Sequence, residues 1–341
     1  MCISWTSELA PPSPDMTAPW PITIDDVRAA RVRIAPFMGP SPLYNYPLLD
    51  AAVGHRIHVL VKHENFNPTN SFKVRNGLSF MTALSAEQRA RGVVAATRGN
   101  HGLGIAFAAR AFGVRATICV PVGNNPDKNA GMRALGAQVV EEGADYDASL
   151  LVAQRLLLET GATLAHSTND ATILAGAATM SHEMFEQADS LDAIVAVVGG
   201  GSQAVGAMTI ARALSPTTKV YAVQATGASA AHDSWHAGER RTTDVADTFA
   251  DGLATRSTYD LTWPALRDGL AGFVTVTDAE IADGVRLLMR TTHSLVEGAG
   301  AGGLAGLRKL APTLAGARVG IIVSGGNIDE ATLRRILLGQ L

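Results

Sequence analysis

The stretch AIVAVVGGGSQ (193–203) decides how this chain is read. Ala193 to Ala211 carries no charge, so a membrane span is one way to take it. Glycines at its centre would weaken a spanning helix. A buried strand, a glycine turn and a helix account for the stretch better. Glycines let the backbone come close to a ligand, and the helix start behind them offers free N–H groups and the positive end of the helix dipole. Such a turn can cradle a phosphate, with Ser202 adding a hydroxyl.

Two more turns share the design, TRGNHG (97–102) and SGGNID (324–329), each after an apolar run. One glycine turn is no more than a tight turn. Three of them behind three strands point to one shared ligand. GAGAGG (298–303) matches G-x-G-x-x-G, but it follows the helical pattern DAEIADGVRLLMRTTHSLVE rather than a strand. It reads as the opening of a helix packed closely on a neighbour. A nicotinamide site rests on that misplaced motif alone.

Working outward, strand-like runs at 56–64, 92–98, 115–122, 137–143, 162–166, 219–225 and 318–326 alternate with helical patterns at 101–113, 128–135, 146–159 and 329–338. Continuous apolar strands alternating with helices predict an α/β fold of parallel sheets covered by helices. Residues 226–252 are polar and irregular and read as loop-rich. After the last strand there is room for one helix and no C-terminal regulatory domain.

With 341 residues, 47% of them apolar, the chain can bury the cores of two domains. Only 17% are charged, the net charge is −3 and there is no basic block, which argues against a nucleic-acid partner. Cys2 and Cys119 cannot build a disulfide framework and suit a reducing compartment. Residues 1–20 lack the basic and apolar regions of a secretory signal and read as a loose, Pro- and Ser-rich arm. A cytoplasmic location without a membrane partner is expected. Cys119 lies in an apolar strand and reads as a packed small residue. His55, His58, His63 and His182 are scattered, with no metal-ligand spacing, and are expected on the surface or at sheet edges.

HENFNPTNSFKVRNG (63–77) places Lys73 at a turn into a helix, beside Phe72. Alone, it reads as a surface lysine. Next to a phosphate cradle it suggests an amine meant for an aldehyde with a phosphate tail, and pyridoxal phosphate is that molecule. Desolvation near Phe72 would help by lowering the amine pKa.

These motifs together resemble the fold type II pyridoxal phosphate enzymes, in the branch of the serine/threonine dehydratases and serine racemases. NSFKVRNG resembles the S-F-K-x-R-G motif of that family, TRGNHG its S-x-G-N-H-G loop, VGGGS its tetraglycine loop, and SGGNID its S-G-G-N-x-D segment. HSTNDATILAGAATM (166–180) and FADGLA (249–254) also match, and the likeness runs from Ile22 to the end. The resemblance implies two open, twisted, mostly parallel sheets. It implies a large domain of residues 1–77 and 166–341, a small mobile domain of 78–165 inserted in it, the cofactor in the cleft between them, and a homodimer. By the same resemblance Lys73 would hold the cofactor and act as base on the substrate α-proton. Phe72 would pack on the pyridine ring, and Asn100 would bond its phenolic oxygen. Gly199, Gly200, Gly201 and Ser202 would bind the phosphate, and Ser324 would face the ring nitrogen. Thr97, Arg98, Gly99 and His101 would line the substrate side. Glu297 would stand nearby. A hydroxyl at the ring nitrogen weakens the electron sink and favours prompt expulsion of a β-hydroxyl. The implied reaction is the dehydration of a 3-hydroxy amino acid, serine or threonine by default, to a 2-oxo acid and ammonia.

The chain departs from the pattern in three places. Arg98 replaces the serine that is the second base of the racemases. Because it stays protonated it argues against racemisation. It either binds an acidic or aromatic β-substituent of the substrate or turns away to a structural carboxylate. Asn76 replaces a glycine and would reshape the mouth of the site. Gln224 and Ala230 stand where racemase-like members have acidic metal ligands, so no metal is expected there, and Asp233 would substitute only if its loop moved. A racemase, a β-replacement enzyme (against which GGGSQ argues, since its phosphate loop normally holds a threonine) and a non-catalytic binding protein are the rival readings.

Overall fold

The computed structural model describes residues 20–341. The expected loose arm therefore lies outside the described residues, except for Trp20. That residue is packed: the Arg212 guanidinium sits 5.0 Å from its ring centroid.

The strands are β1 (Leu43–Asn45), β2 (His58–His63), β3 (Val93–Ala96), β4 (Ala116–Val120), β5 (Gln138–Glu141), β6 (Thr163–Leu164), β7 (Ala193–Val197), β8 (Lys219–Ala225), β9 (Gly272–Val276) and β10 (Arg318–Val323). They form two sheets, ordered β1-β2-β10-β7-β8-β9 and β5-β4-β3-β6. Every pairing is parallel except β1 with β2. All five residues of β7 are buried, as a central parallel strand covered on both faces requires. The large sheet separates two apolar clusters and the small sheet two more.

In open α/β sheets ligands collect at the C-terminal ends of the strands. Here β3, β7 and β10 end in the three glycine turns. β10 is level with β2, Val323 facing His63. The chain leaving β2 then returns alongside it, with a bridge between Ser71 and Gly325 and a bond from Phe72 N to Ser324 O of 3.0 Å. The Lys73–Ala83 helix starts there. It crosses the Asn100–Phe112 helix at two glycines. A Cβ on Gly77 would lie 2.2 Å from Gly104 O, and one on Gly104 would lie 2.2 Å from Lys73 O. This backbone-to-backbone contact ties Lys73 to the turn after β3.

Behind the helix lies a buried ion cluster. Arg75 Nε and Nη2 donate to the two oxygens of Glu64 at 2.7 and 3.0 Å, and Nη1 and Nη2 donate to those of Glu183 at 2.6 and 2.8 Å. Lys62 Nζ donates to Glu183 at 2.7 Å, to Ser41 O and to Gln187. These four side chains are at most 4% exposed. Burial alone would raise the Glu64 carboxyl, but the Arg75 guanidinium, together with Lys62 and the Ser41 hydroxyl, holds it below its usual range.

Three expectations change. His63 and His182 are buried. His63 stacks on Phe66 at 4.6 Å and its Nε2 meets the Tyr46 hydroxyl at 2.9 Å, while Arg31 donates to His182 Nδ1 at 2.9 Å. Apolar and aromatic neighbours, invisible in local spacing, supply these burials. Residues 226–252 contain a helix, Ala230–Ala237, among irregular segments. Asn76 is fully buried in the Lys73–Ala83 helix and does not line the site. No helix among the described residues is long and apolar enough to cross a membrane.

Arg75→Met leaves Glu64 without a cation and Glu183 with Lys62 alone. The loss should be about 3–5 kcal/mol of folding stability, read by urea denaturation. The Glu64 carboxyl is lower in the fold than its ordinary 4.5. Its contribution is therefore complete above that pH and is lost as pH falls through the folded value. The Met variant should show a correspondingly flatter acid limb.

Candidate active site

All twelve residues singled out above line one cavity between the strand ends of the two sheets. From the small sheet comes the turn after β3. Thr97 Oγ1 accepts from Gly99 N at 2.8 Å and from Gly102 N at 3.3 Å, which folds the turn. Helix bonding begins only at Leu103 N to Gly99 O. The N–H groups of Asn100 and His101 thus lie in the first turn, where an anion can use them. His101 is buried and neutral, its pKa pulled down to about 3 by burial and the nearby Lys73 charge. Its Nε2 meets Ala165 O at 2.8 Å. A carbonyl accepts, so Nε2 carries the hydrogen, and the buried Nδ1 keeps a lone pair without a partner.

From the large sheet comes the loop after β7. A Cβ on Gly199 would fall 2.1 Å from Gly252 O, and one on Gly200 would fall 2.0 Å from Thr168 Oγ1. Gly201 has φ +95°, which favours glycine. The carbonyls of Gly199 and Gly200 accept from the Thr255 and Thr262 hydroxyls. This leaves the loop N–H groups, at the start of the Ser202–Leu214 helix, for an anion. Gln203 reaches back to accept from Val197 N at 2.9 Å and clamps the loop to its strand.

Lys73 faces this loop. Its Nζ is 4.9 Å from the Phe72 ring centroid and 3.4 Å from Ser167 O. The amine touches the cavity yet is enclosed by protein, and burial lowers its pKa to about 8. Ser324, buried at the end of β10, adds a hydroxyl.

Asn100 is held at both ends of its amide. Asn327 donates to its oxygen at 2.8 Å, and its nitrogen donates to Glu297 at 2.6 Å. One amide hydrogen is left free. Burial raises the Glu297 carboxyl to about 7, against the pull of Lys128. Sequence reasoning missed Lys128, Tyr146, Asp251 and Tyr259, which also line the cavity. Lys128 Nζ donates to Asp251 at 2.9 Å, and Tyr146 shares a bond with Ser167 at 3.0 Å. Both pairs join residues 78–165 to the rest of the chain across the cavity, a relation that local spacing does not signal. Arg98 is not turned toward a structural carboxylate. It lines the cavity, no acidic side chain pairs with it among the described residues, and its buried Nε has no partner.

The altered cation segment is self-sufficient. Gln224 Oε1 accepts from Ala231 N and His232 N at 3.1 and 3.0 Å, which starts the Ala230–Ala237 helix. Asp233 is taken by Ser229 and His232. No group of three or more metal-ligating acids, histidines or cysteines occurs among the described residues.

An enclosed amine, a glycine loop whose approach a methyl group would block, and a hydroxyl at the end of β10 fit a phosphorylated pyridoxal. Residues 34–325 match the family of pyridoxal-phosphate dependent enzymes, and the chain belongs to that family. It is 35% identical to the L-threonine ammonia-lyase of Thermotoga maritima over 93% of this chain and 78% of that protein. It is also 35% identical to the L-threo-3-hydroxyaspartate ammonia-lyase of a Pseudomonas species, over 92% and 98%. The structure of maize serine racemase superposes with TM-score 0.88 at 32% identity, covering 94% of this chain and 98% of that one. The fold is that of the fold type II enzymes, and pyridoxal 5'-phosphate is the cofactor.

Two outcomes follow for cofactor loading. Recombination of apoprotein with pyridoxal phosphate, followed by visible absorbance, should accelerate through pH 8 and level off above it, since Lys73 loses its proton there rather than near 10.5. Gly200→Ala should weaken cofactor retention by about 100-fold, measured by equilibrium dialysis.

Proposed function

We propose that the protein is an ammonia-lyase that dehydrates a 3-hydroxy amino acid of the serine/threonine type, giving a 2-oxo acid and ammonia. The observation that carries this reading is that Lys73, the glycine cradle and Ser324 line one cavity, with burial lowering the Lys73 amine pKa to about 8. When bound, the cofactor supplies the sink for the electrons released at the substrate α-carbon. Lys73 anchors it and then moves the α-proton. The loop at 199–202 holds the phosphate. Asn100, its amide fixed by Asn327 and Glu297, would offer its free hydrogen to the cofactor's phenolic oxygen. Phe72 packs on the ring. The N–H groups that open the Asn100–Phe112 helix, with Thr97 and Gly99, receive the α-carboxylate. Ser324 would meet the ring nitrogen with a hydroxyl, a weak partner for a proton. That favours loss of a β-hydroxyl over a long-lived carbanion.

In this reading residues 78–165 are the small domain that closes over substrate, and the Lys128–Asp251 and Tyr146–Ser167 contacts mark the closed state. A homodimer in the cytoplasm belongs to the same proposal. A racemase is the second reading. It needs a base opposite Lys73, and the arginine at 98 stays protonated.

Lys73→Ala should abolish the visible absorbance of the cofactor and all release of 2-oxo acid. Wild type should release 2-oxo acid from at least one 3-hydroxy amino acid while the remaining substrate keeps its handedness by chiral chromatography. Turnover in the alanine variant, or racemised residual substrate, would count against the reading.

A further inference from the structure

The cavity holds three cations, and two are accounted for. Lys128 is neutralised by Asp251 at 2.9 Å, and Lys73 would be committed to holding the cofactor. Arg98 is the one left over. It stands one residue before the Gly99 turn, it lines the cavity, and no carboxylate pairs with it among the described residues. Its Nε is buried without an acceptor. A buried guanidinium N–H left without an acceptor is unfavourable. Arg98 is half-buried at the cavity wall, and a carboxylate entering the cavity can accept from its guanidinium with two oxygens in the geometry of the fork. Glu297 is not a substitute. Its carboxylate already accepts from Asn100, and its pKa is raised to about 7. The α-carboxylate of the substrate has its own receptor in the N–H groups of Asn100 and His101. What Arg98 lacks is therefore a second anionic group.

We propose that Arg98 is the specificity-determining residue that pairs with an anionic group on the β-carbon of the substrate, so that the enzyme prefers 3-hydroxy diacids such as 3-hydroxyaspartate to serine and threonine. This rests on the dehydratase reading above. Arg98 pairs with a carboxylate carried by the carbon that loses the hydroxyl, and takes no proton itself.

The test compares wild type, Arg98→Ala and Arg98→Lys as holoenzymes on L-serine, L-threonine and the 3-hydroxyaspartate isomers. It adds calorimetric titration with malonate, an unreactive diacid, and with acetate. Wild type should favour 3-hydroxyaspartate. In Arg98→Ala the ratio of kcat/KM for 3-hydroxyaspartate to that for serine should fall by about 100-fold, mostly through KM. Arg98→Lys should restore part of it, because a point charge replaces a fork. Malonate should bind wild type and lose about 100-fold in the alanine variant, while acetate binds neither well. An equal loss on all three substrates would assign Arg98 to the α-carboxylate or to folding and overturn the proposal. So would unchanged malonate affinity, or a wild type that prefers serine. If wild type releases 2-oxo acid from none of them, the dehydratase reading has failed, and malonate titration still reports on Arg98 by itself.

Discussion

Arg75 holds four hydrogen bonds to two buried carboxylates, and the placement of Lys73 depends on it. Two residues along a helix correspond to a rotation of about 200°. Anchoring Arg75 among Glu64, Glu183 and Lys62 therefore turns Lys73 to the opposite side, toward the cavity. The cluster also joins the end of β2, the Lys73–Ala83 helix and the Ala171–Gln187 helix. Two cations and two carboxylates cancel, so the burial is tolerated, yet such clusters contribute little net stability compared with apolar packing. What this one supplies is direction. A lysine on four flexible methylenes gains a defined approach only if its helix cannot rotate.

The second constraint is the crossing at Gly77 and Gly104. It brings two helix backbones together so closely that the turn after β3 and the start of the Lys73 helix are packed as one unit. The site is therefore divided differently from the sheets. Lys73, Asn100 and His101 share this helix pair, while the phosphate loop and Ser324 belong to the large sheet. Polar contacts span the cavity, among them Lys128 with Asp251, Tyr146 with Ser167 and Asn100 with Glu297.

The site was legible in the sequence to the extent that its chemistry lies in the backbone. Glycine turns after apolar strands announce themselves because a strand end, small residues and a helix start are contiguous. All three turns meet in one cavity as read. GAGAGG likewise opens the Gly298–Leu310 helix, with Gly300 packed against Gly325 O. What escaped was everything assembled from distant residues. Glu183 lies 121 positions from Lys62, and nothing in either neighbourhood names the other. A signal was present in VLVKH, where a lysine inside an apolar strand demands a buried anion. His63 was misplaced for the same reason, since its burial is supplied by Tyr46 and Phe66. The Ala230–Ala237 helix was hidden because its first N–H groups are met by a side chain on β8, outside the segment that folds.

One rule runs through both the scaffold and the site: a charge taken out of water is matched. Lys62 and Arg75 are matched behind the helix and Lys128 at the cavity wall, while the Glu297 carboxyl has its pKa raised by burial to about 7. Arg98 differs: it is half-buried at the cavity wall, and no carboxylate pairs with it among the described residues. A chain able to cancel two cations with two carboxylates in its core could have cancelled this one too. On the proposal above, the match arrives with the molecule that enters the cavity. The sign and the planar shape of the group at residue 98 then describe that molecule more closely than the cofactor loops do, because those loops serve every substrate alike.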